Sequence, residues 1–303
     1  MDMKRDFLTL RDVSPKEIRS ILKRAIEFKA GKDANRCPLI GKSIGLLFEK
    51  ASTRTRVSFE VGIYQLGGQA IYMNPREIQI GRGETIHDTA KVLSRYLDAV
   101  VLRTYGRDTL TEFARHAAIP VLNGLSDLHH PCQALADLMT ILEKKGRFRG
   151  IRLAYTGDGN NVTNSLIEAA SLMGIHLAIA CPRGYEPDQK ILKRARAISK
   201  SKIIVMRDPR AAVSGADVVY TDVWVSMGQE KEASKKKGRL KGYQLNSTLL
   251  AHAKKEALVL HCMPAHRGEE ITNDVIDGSQ SAVFDQAENR LHTQKALLEF
   301  LLI

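Results

Sequence analysis

The chain has 303 residues, room for two domains of ordinary size, and is 44% hydrophobic and 26% charged, which excludes a disordered or fibrous protein. Its formal net charge of +12 suits either a nucleic-acid surface or an enzyme that draws in anionic substrates, but the basic residues are spread along the chain. Cys37, Cys132, Cys181 and Cys262 lack C-x-x-C spacing, Met1 to Leu10 lack a signal-peptide core, and no apolar run approaches the roughly 18 residues of a membrane span, so a cytoplasmic, soluble protein without a disulfide scaffold is expected.

Ser14 and Pro15 open a first helix that runs to about Ala30. A short apolar run, Ile44 to Phe48, reads as a buried strand, and Val57 to Leu66, closed by Gly67-Gly68, as the helix after it. Strand Ala70–Met73 leads to a polar loop, Asn74 to Glu84. The helix from Thr85 carries Ile86, Ala90, Leu93 and Leu97 at helical spacing. Strand Ala99–Leu102, helix Asp108–Ala117 and strand Pro120–Leu122 follow. A longer helix from Pro131 to near Gly146 bridges two halves. After Gly150 the expected strands are Ile151–Tyr155, His176–Ala180, Ile203–Met206, Asp217–Tyr220 and Ala257–His261, with Val162–Met173 among the intervening helices and a last helix at about 286–302.

Strands that alternate with helices predict an α/β protein. Two such alternations predict two domains, 1–147 and 148–303, each a parallel sheet covered by helices on both faces and joined by interdomain helices. Ligands in such sheets bind beyond the carboxyl ends of the strands, so the loops there are the candidates for chemistry.

The first is Ser52-Thr53-Arg54-Thr55-Arg56, where a strand hands over to a helix N-terminus. Free backbone N–H groups and the helix dipole favour an anion there, and two guanidiniums add forks matched to phosphate or carboxylate. The competing reading is a Ser52 cap followed by two solvated arginines. Gln79, in a loop with Gly81 and Gly83, offers a neutral donor. Arg103 directly follows an apolar strand, where a charge needs a counter-anion. In His129-His130-Pro131-Cys132-Gln133, the side chains of His130 and Gln133 lie at a helix start, as cap or as oxyanion donors.

In the second half, Gly157-Asp158-Gly159-Asn160-Asn161-Val162 half matches the dinucleotide fingerprint but has Val162 at the third glycine. Asn161 is a donor suited to a carboxylate. Asp222 offers an acid for an ammonium and Ser226 a donor for a carboxylate, the pairing an amino-acid site requires; the competing reading is an acidic surface turn. His261, Cys262 and His266 lack a second ligand pair at zinc-site spacing, so no metal is expected, and Cys262 reads as a nucleophile or a substrate-contacting thiol. The run Lys231 to Lys241 has no interleaved aromatics and reads as a solvated face, which argues against a nucleic-acid partner.

Taken in order, Ser52 to Arg56, His130-Pro131-Cys132-Gln133, Asp222 to Glu230, His261 to Pro264 and Phe284 to Arg290 resemble the aspartate/ornithine carbamoyltransferase family over nearly the whole chain. The resemblance implies transfer of a carbamoyl group from carbamoyl phosphate to ornithine, giving citrulline, with no cofactor. It implies that Ser52, Thr53, Arg54 and Thr55 cradle the phosphate, and that Thr55, Arg103, His130 and Gln133 hold the carbamoyl end. Gln79 is then supplied to a neighbouring subunit of a homotrimer or a multiple of one. Leu125, Asn161, Asp222, Ser226 and Met227 hold ornithine, Cys262 and Met263 lie beside the reacting groups, and Arg290 closes on carbamoyl phosphate. The first domain takes carbamoyl phosphate, the second takes ornithine, and the final helix packs back on the first.

The aspartate-using relatives have a lysine in the loop matching Asn74–Glu84 and lack Ser-Met-Gly, found here at Ser226 to Gly228; both departures favour ornithine. Relatives that use putrescine or acetylated ornithine are harder to separate. Met263 stands where leucine is usual and Cys132 at a variable position, and neither change removes a donor.

Overall fold

The computed structural model describes residues 4–32, 36–76, 78–79, 83–225 and 233–303. The chain folds as two compact units, Met1–Leu135 with Asn289–Ile303, and Ala136–Glu288. The expected boundary at 147/148 falls at the end of a helix, whereas the units exchange inside it.

In the first unit, β1 (Ser43–Phe48), β2 (Gln69–Met73), β3 (Ala99–Arg103) and β4 (Val121–Leu125) form a parallel sheet in the order β2-β1-β3-β4. The flanking helices are α1 (Pro15–Lys29), α2 (Thr53–Gln65), α3 (Ile86–Leu93) and α4 (Arg107–His116). Helix α1 starts where Ser14, Pro15 and Glu17 predict it: the Ser14 hydroxyl accepts from the Glu17 N–H, and Glu17 accepts from the Ser14 N–H. Leu47, Val100, Leu102 and Val121 of the strands pack with Leu110, Phe113 and Ala114 of α4.

The second unit holds β5 (Arg152–Thr156), β6 (His176–Ala180), β7 (Ile203–Met206), β8 (Val218–Thr221) and β9 (Leu258–His261), again all parallel, in the order β7-β6-β5-β8-β9. Its helices include α6 (Asn161–Met173), α7 (Gln189–Ile198), α8 (Pro209–Val213), α9 (Ala233–Leu240), α10 (Ser247–Leu250) and α11 (Asn273–Ile276). Helix α6 stops at Gly174, whose φ of 77° is the left-handed conformation that glycine adopts cheaply. The chain leaves the first unit inside α5 (Pro131–Lys145) and returns to it inside α12 (Val283–Leu302).

Strand order fixes where each unit can hold a ligand. In the first sheet the order reverses between β1 and β3, and in the second between β5 and β8. At such a point the two neighbouring loops run in opposite directions and leave a crevice at the strand carboxyl ends.

Two boundaries differ from the sequence reading in a way that matters to the first crevice. Helix α2 starts at Thr53 and not at Val57, so the Thr-Arg-Thr-Arg run is its first turn. Strand β4 runs on to Leu125, and its register against β3 slips so that Leu102 faces Asn123 while Arg103 faces Leu125. Gly124 is the extra residue of this bulge. A Cβ there would lie 3.1 Å from the Leu102 carbonyl and 3.6 Å from the Thr55 methyl, so only glycine passes without displacement.

Candidate active site

At the first crevice Ser52 caps α2: its hydroxyl accepts from the Thr55 N–H at 3.2 Å. No acidic residue lies in the first turn, so nothing there offsets the positive end of the helix. Arg54 is half-buried and, among the described residues, has no carboxylate partner. Arg56 takes the other direction. It donates to Glu60 at 2.9 Å and lies 3.6 Å over the Tyr72 ring, so the second expected fork belongs to the outer face of α2.

Arg290 organises the floor of this crevice. Its Nη2 donates to Thr55 Oγ1 at 2.7 Å, its Nη1 donates to Gln133 Oε1 at 3.0 Å, and Nη1 lies 3.4 Å from His130 Nε2. All four side chains are buried. An arginine only donates, so Arg290 bonds His130 Nε2 only in the tautomer where that nitrogen is the acceptor. Burial pushes the His130 pKa well below the usual 6.5, and the charges of Arg290, Arg103 and Arg54 push it further. The ring is neutral at physiological pH. Arg103, also buried, ends β3, and its carbonyl accepts from the Glu49 N–H at 2.8 Å, which joins the loops on either side of the switch point. The Leu125 carbonyl accepts from the Thr104 N–H at 3.1 Å. Cys132 is no nucleophile: burial lifts its thiol pKa to about 12, and Sγ donates to the Asn123 carbonyl. Gln79 is exposed.

The second crevice is built around a carboxylate. Asp222, just past β8, is buried; Oδ2 accepts from Asn160 Nδ2 at 2.7 Å and Oδ1 from Cys262 Sγ at 3.0 Å. Asn160 is also the cap of α6, its Oδ1 accepting from the N–H groups of Val162 and Thr163. Asn161, the residue expected to matter, is the first residue of α6 and half-buried beside it. Glycine is obligatory at Gly159, where a Cβ would come within 2.3 Å of the Pro187 nitrogen. The half-matched glycine pattern therefore serves close packing of this loop. Ser226 and Met227 lie outside the described residues.

At the end of β9, Met263 takes a φ of 57°, in the left-handed region that costs a non-glycine residue about 1–3 kcal/mol. Its N–H donates to His261 Nδ1 at 2.9 Å, while His261 Nε2 faces Glu270 Oε1 at 3.1 Å. Both ring nitrogens are thus engaged inside the fold. In the grouping of Asp222, His261 and Cys262, a metal would have to break a His261 bond to use the ring and the Cys262–Asp222 bond to use the thiol. The His261 N–H donates to Gln286 Oε1, whose amide nitrogen donates to Asp137 at 2.6 Å and to the Tyr220 hydroxyl at 3.1 Å. This buried chain fixes the strand end that presents Cys262.

Two family models match consecutive stretches. One, described as the carbamoyl-P binding domain of aspartate/ornithine carbamoyltransferase, matches residues 5–143, and the other, described as its Asp/Orn binding domain, matches 149–301. The chain belongs to the aspartate/ornithine carbamoyltransferase family. It is similar to the ornithine carbamoyltransferase of Syntrophus aciditrophicus, 52% identical over 302 residues that cover 99% of this chain and all of that one. It is similar to the solved ornithine carbamoyltransferase of Pyrococcus furiosus, with a TM-score of 0.94 and 50% identity over 99% of this chain and 97% of that one. A solved acetylornithine transcarbamylase has the same fold, with a TM-score of 0.89, but only 31% identity over 98% of this chain and 99% of that one.

Within this family member, the structure joins Thr55, His130, Gln133 and Arg290 directly, and Asp222 with Cys262 separately. Sequence reasoning missed Asn160 as the partner of Asp222. Its signal was an asparagine two residues before the expected start at Val162, which becomes the cap because the helix begins at Asn161.

Proposed function

We propose that the chain transfers the carbamoyl group of carbamoyl phosphate to the side-chain amine of L-ornithine, giving L-citrulline and phosphate, as in arginine biosynthesis. The observation that carries this reading is Arg290 held against Thr55, His130 and Gln133, beside the capped N-terminus of α2 and within the field of Arg54 and Arg103. Such a site suits a doubly charged phosphate attached to a carbonyl.

Residues 1–147 take carbamoyl phosphate and 148–303 take ornithine, with the end of α12 serving the first. Ser52, Thr53, Arg54 and Thr55 receive the phosphate with backbone N–H groups, hydroxyls and one guanidinium. Arg103, His130 and Gln133 donate to the carbonyl oxygen as it gains negative charge, and His130 does so as a neutral ring, not as a base. Arg290 closes on the same ligand, and Cys262 and Met263 lie beside the reacting groups. The amine must be neutral to attack; its ordinary pKa is about 10, and the surrounding cations disfavour the ammonium form. The amine nitrogen bonds to the carbonyl carbon, the bond from that carbon to the phosphate oxygen breaks, and the surplus proton leaves with phosphate. Positioning and electrostatics suffice for this chemistry. Asp222 holds the α-ammonium of ornithine, and Asn161, Ser226, Met227 and the Leu125 backbone complete that site.

The assembly is a homotrimer or a multiple of one, with Gln79 reaching a neighbour's phosphate. Helix α2 supports a buried outer face: Val57, Val61 and Tyr64, at helical spacing, are 50%, 37% and 80% exposed, while Phe59 and Ile63 fill the core. The compartment is the cytoplasm, in keeping with four free cysteines. Among the described residues no helix is long and apolar enough to cross a membrane.

The test is citrulline formation from carbamoyl phosphate and ornithine, run beside aspartate, putrescine and acetylornithine. Turnover with ornithine alone is expected. Turnover with another amine instead would keep the phosphate half and overturn the roles of Asp222 and Asn161.

A further inference from the structure

A buried ion pair lies beside the second crevice, and the reaction has no step for it. Lys236 Nζ of α9 donates to Asp158 Oδ2 at 2.6 Å, with the two side chains only 7% and 9% exposed. Asp158 sits in the loop between β5 and α6, two residues before Asn160, the residue that holds Asp222. Its main chain is tightly fixed. The Asp158 carbonyl accepts from the Tyr155 hydroxyl at 2.8 Å, the Thr163 hydroxyl at 3.0 Å and the Asn160 N–H at 2.8 Å. Lys236 also faces the Tyr185 ring at 5.8 Å.

Two carboxylates, Asp158 and Asp222, therefore share one loop cluster. They feel each other: the charge of Asp222 raises the pKa of Asp158, adding to the effect of burial, while Lys236 opposes both. With Lys236 in place, Asp158 is paired, and of these two carboxylates Asp222 is the one without a cation partner among the described residues. That balance matters to the choice of amine. Ornithine bound in its reactive form, with the side-chain amine neutral, brings one ammonium and one carboxylate, a net charge of 0. A diamine of the same length without the carboxylate, with its reacting amine likewise neutral, brings +1. A cluster of charge −2 favours the diamine, and one of charge −1 gives it less advantage.

We propose that Lys236 is a specificity-determining residue: by neutralising Asp158 it leaves Asp222 as the one uncompensated acid of this described pair and so selects an α-amino acid over a bare diamine. This rests on the carbamoyl transfer to ornithine proposed above. Lys236 touches no reacting atom; it acts through Asp158.

The experiment measures KM for ornithine and the inhibition constant of putrescine competing with ornithine as a function of pH from 7 to 9. Four forms of the full chain are compared: wild type, Lys236→Met, Asp158→Asn, and the double variant. Removing one partner of a buried pair leaves a charge, whereas removing both does not. The preference for ornithine over putrescine is expected to fall on the order of tenfold in Lys236→Met. It should rise in Asp158→Asn and return to the wild-type value in the double variant. A purely structural pair would change affinities for both ligands together and leave their ratio fixed in all four proteins; that result overturns the proposal. Should Lys236→Met fail to fold, the order of Asp158→Asn against the double variant decides alone, and equal ratios in those two overturn it. Absence of citrulline formation by the wild type would instead remove the reaction itself, a failure visible before any variant is made.

Discussion

The two crevices occupy equivalent positions in two sheets of the same kind, and their chemistry is opposite. The first, between β1 and β3, gathers Arg54, Arg103 and Arg290 around a helix N-terminus with no acid in its first turn. The second, between β5 and β8, gathers Asp158 and Asp222 and spends its helix N-terminus on its own cap, Asn160. Topology chooses the place and the side chains choose the ligand. The first crevice brings three guanidiniums to bear on one neutral histidine, whereas the second balances one of its two acids internally through Lys236.

The sharpest break in this comparison is a pair of single substitutions read against both substrates. Arg54→Ala removes the one guanidinium of the α2 first turn that has no acidic partner among the described residues. We expect kcat to fall by about a thousandfold or more with the fold intact by circular dichroism. Asp222→Asn should act on the other side, raising KM for ornithine about 10- to 100-fold and leaving KM for carbamoyl phosphate within about twofold. If both variants raised KM for the same substrate, the division of labour between the crevices would be wrong.

Much of this could be read from the sequence, because it depends on neighbours along the chain. Ser52 as cap, Pro131 as the first helical residue and Gly174 as a stop are local signals, and each stands where the spacing puts it. Of the two readings open for Arg56, an anion fork or a helix-face arginine, Glu60 four residues on favours the second, since that spacing places both on one helix face. What could not be read depends on distant pairs. Nothing near Lys236 points to Asp158, 78 residues away, and nothing near Gln286 points to Asp137, 149 residues away. The bulge at Gly124 was equally hidden, because Asn123-Gly124 looks like a turn until the sheet register is known.

His130 gives a smaller, pH-dependent effect that sharpens the contrast. Three guanidiniums and burial hold its folded pKa below the usual 6.5. As pH falls, the unfolded chain binds the proton first, so the neutral ring's contribution to stability is complete above about 6.5 and is lost as pH drops toward the depressed folded value. Between pH 7 and pH 5 this costs up to about 2 kcal/mol. Denaturant unfolding of His130→Gln should therefore show a shallower loss over that interval than the wild type. Equal slopes would mean that neither burial nor the arginines depress the ring's pKa.

The smallest expected effect comes from the residue that looks most like Arg54 in the sequence. Arg56 is 43% exposed at its side chain, paired with Glu60 and laid over Tyr72. An exposed pair one helical turn apart contributes about 0.3–0.5 kcal/mol, and stacking on the ring adds about 0.5–1 kcal/mol. Arg56→Ala should therefore cost about 1 kcal/mol of stability and leave kcat/KM for carbamoyl phosphate within a few-fold of wild type. The comparison is internal to one helix turn, since both arginines share the same backbone and the same cap. If Arg56→Ala reduced turnover as far as Arg54→Ala, then neutralisation by Glu60 does not take a guanidinium out of the anion site, and the charge of the whole turn, not the aim of one side chain, would be what binds phosphate.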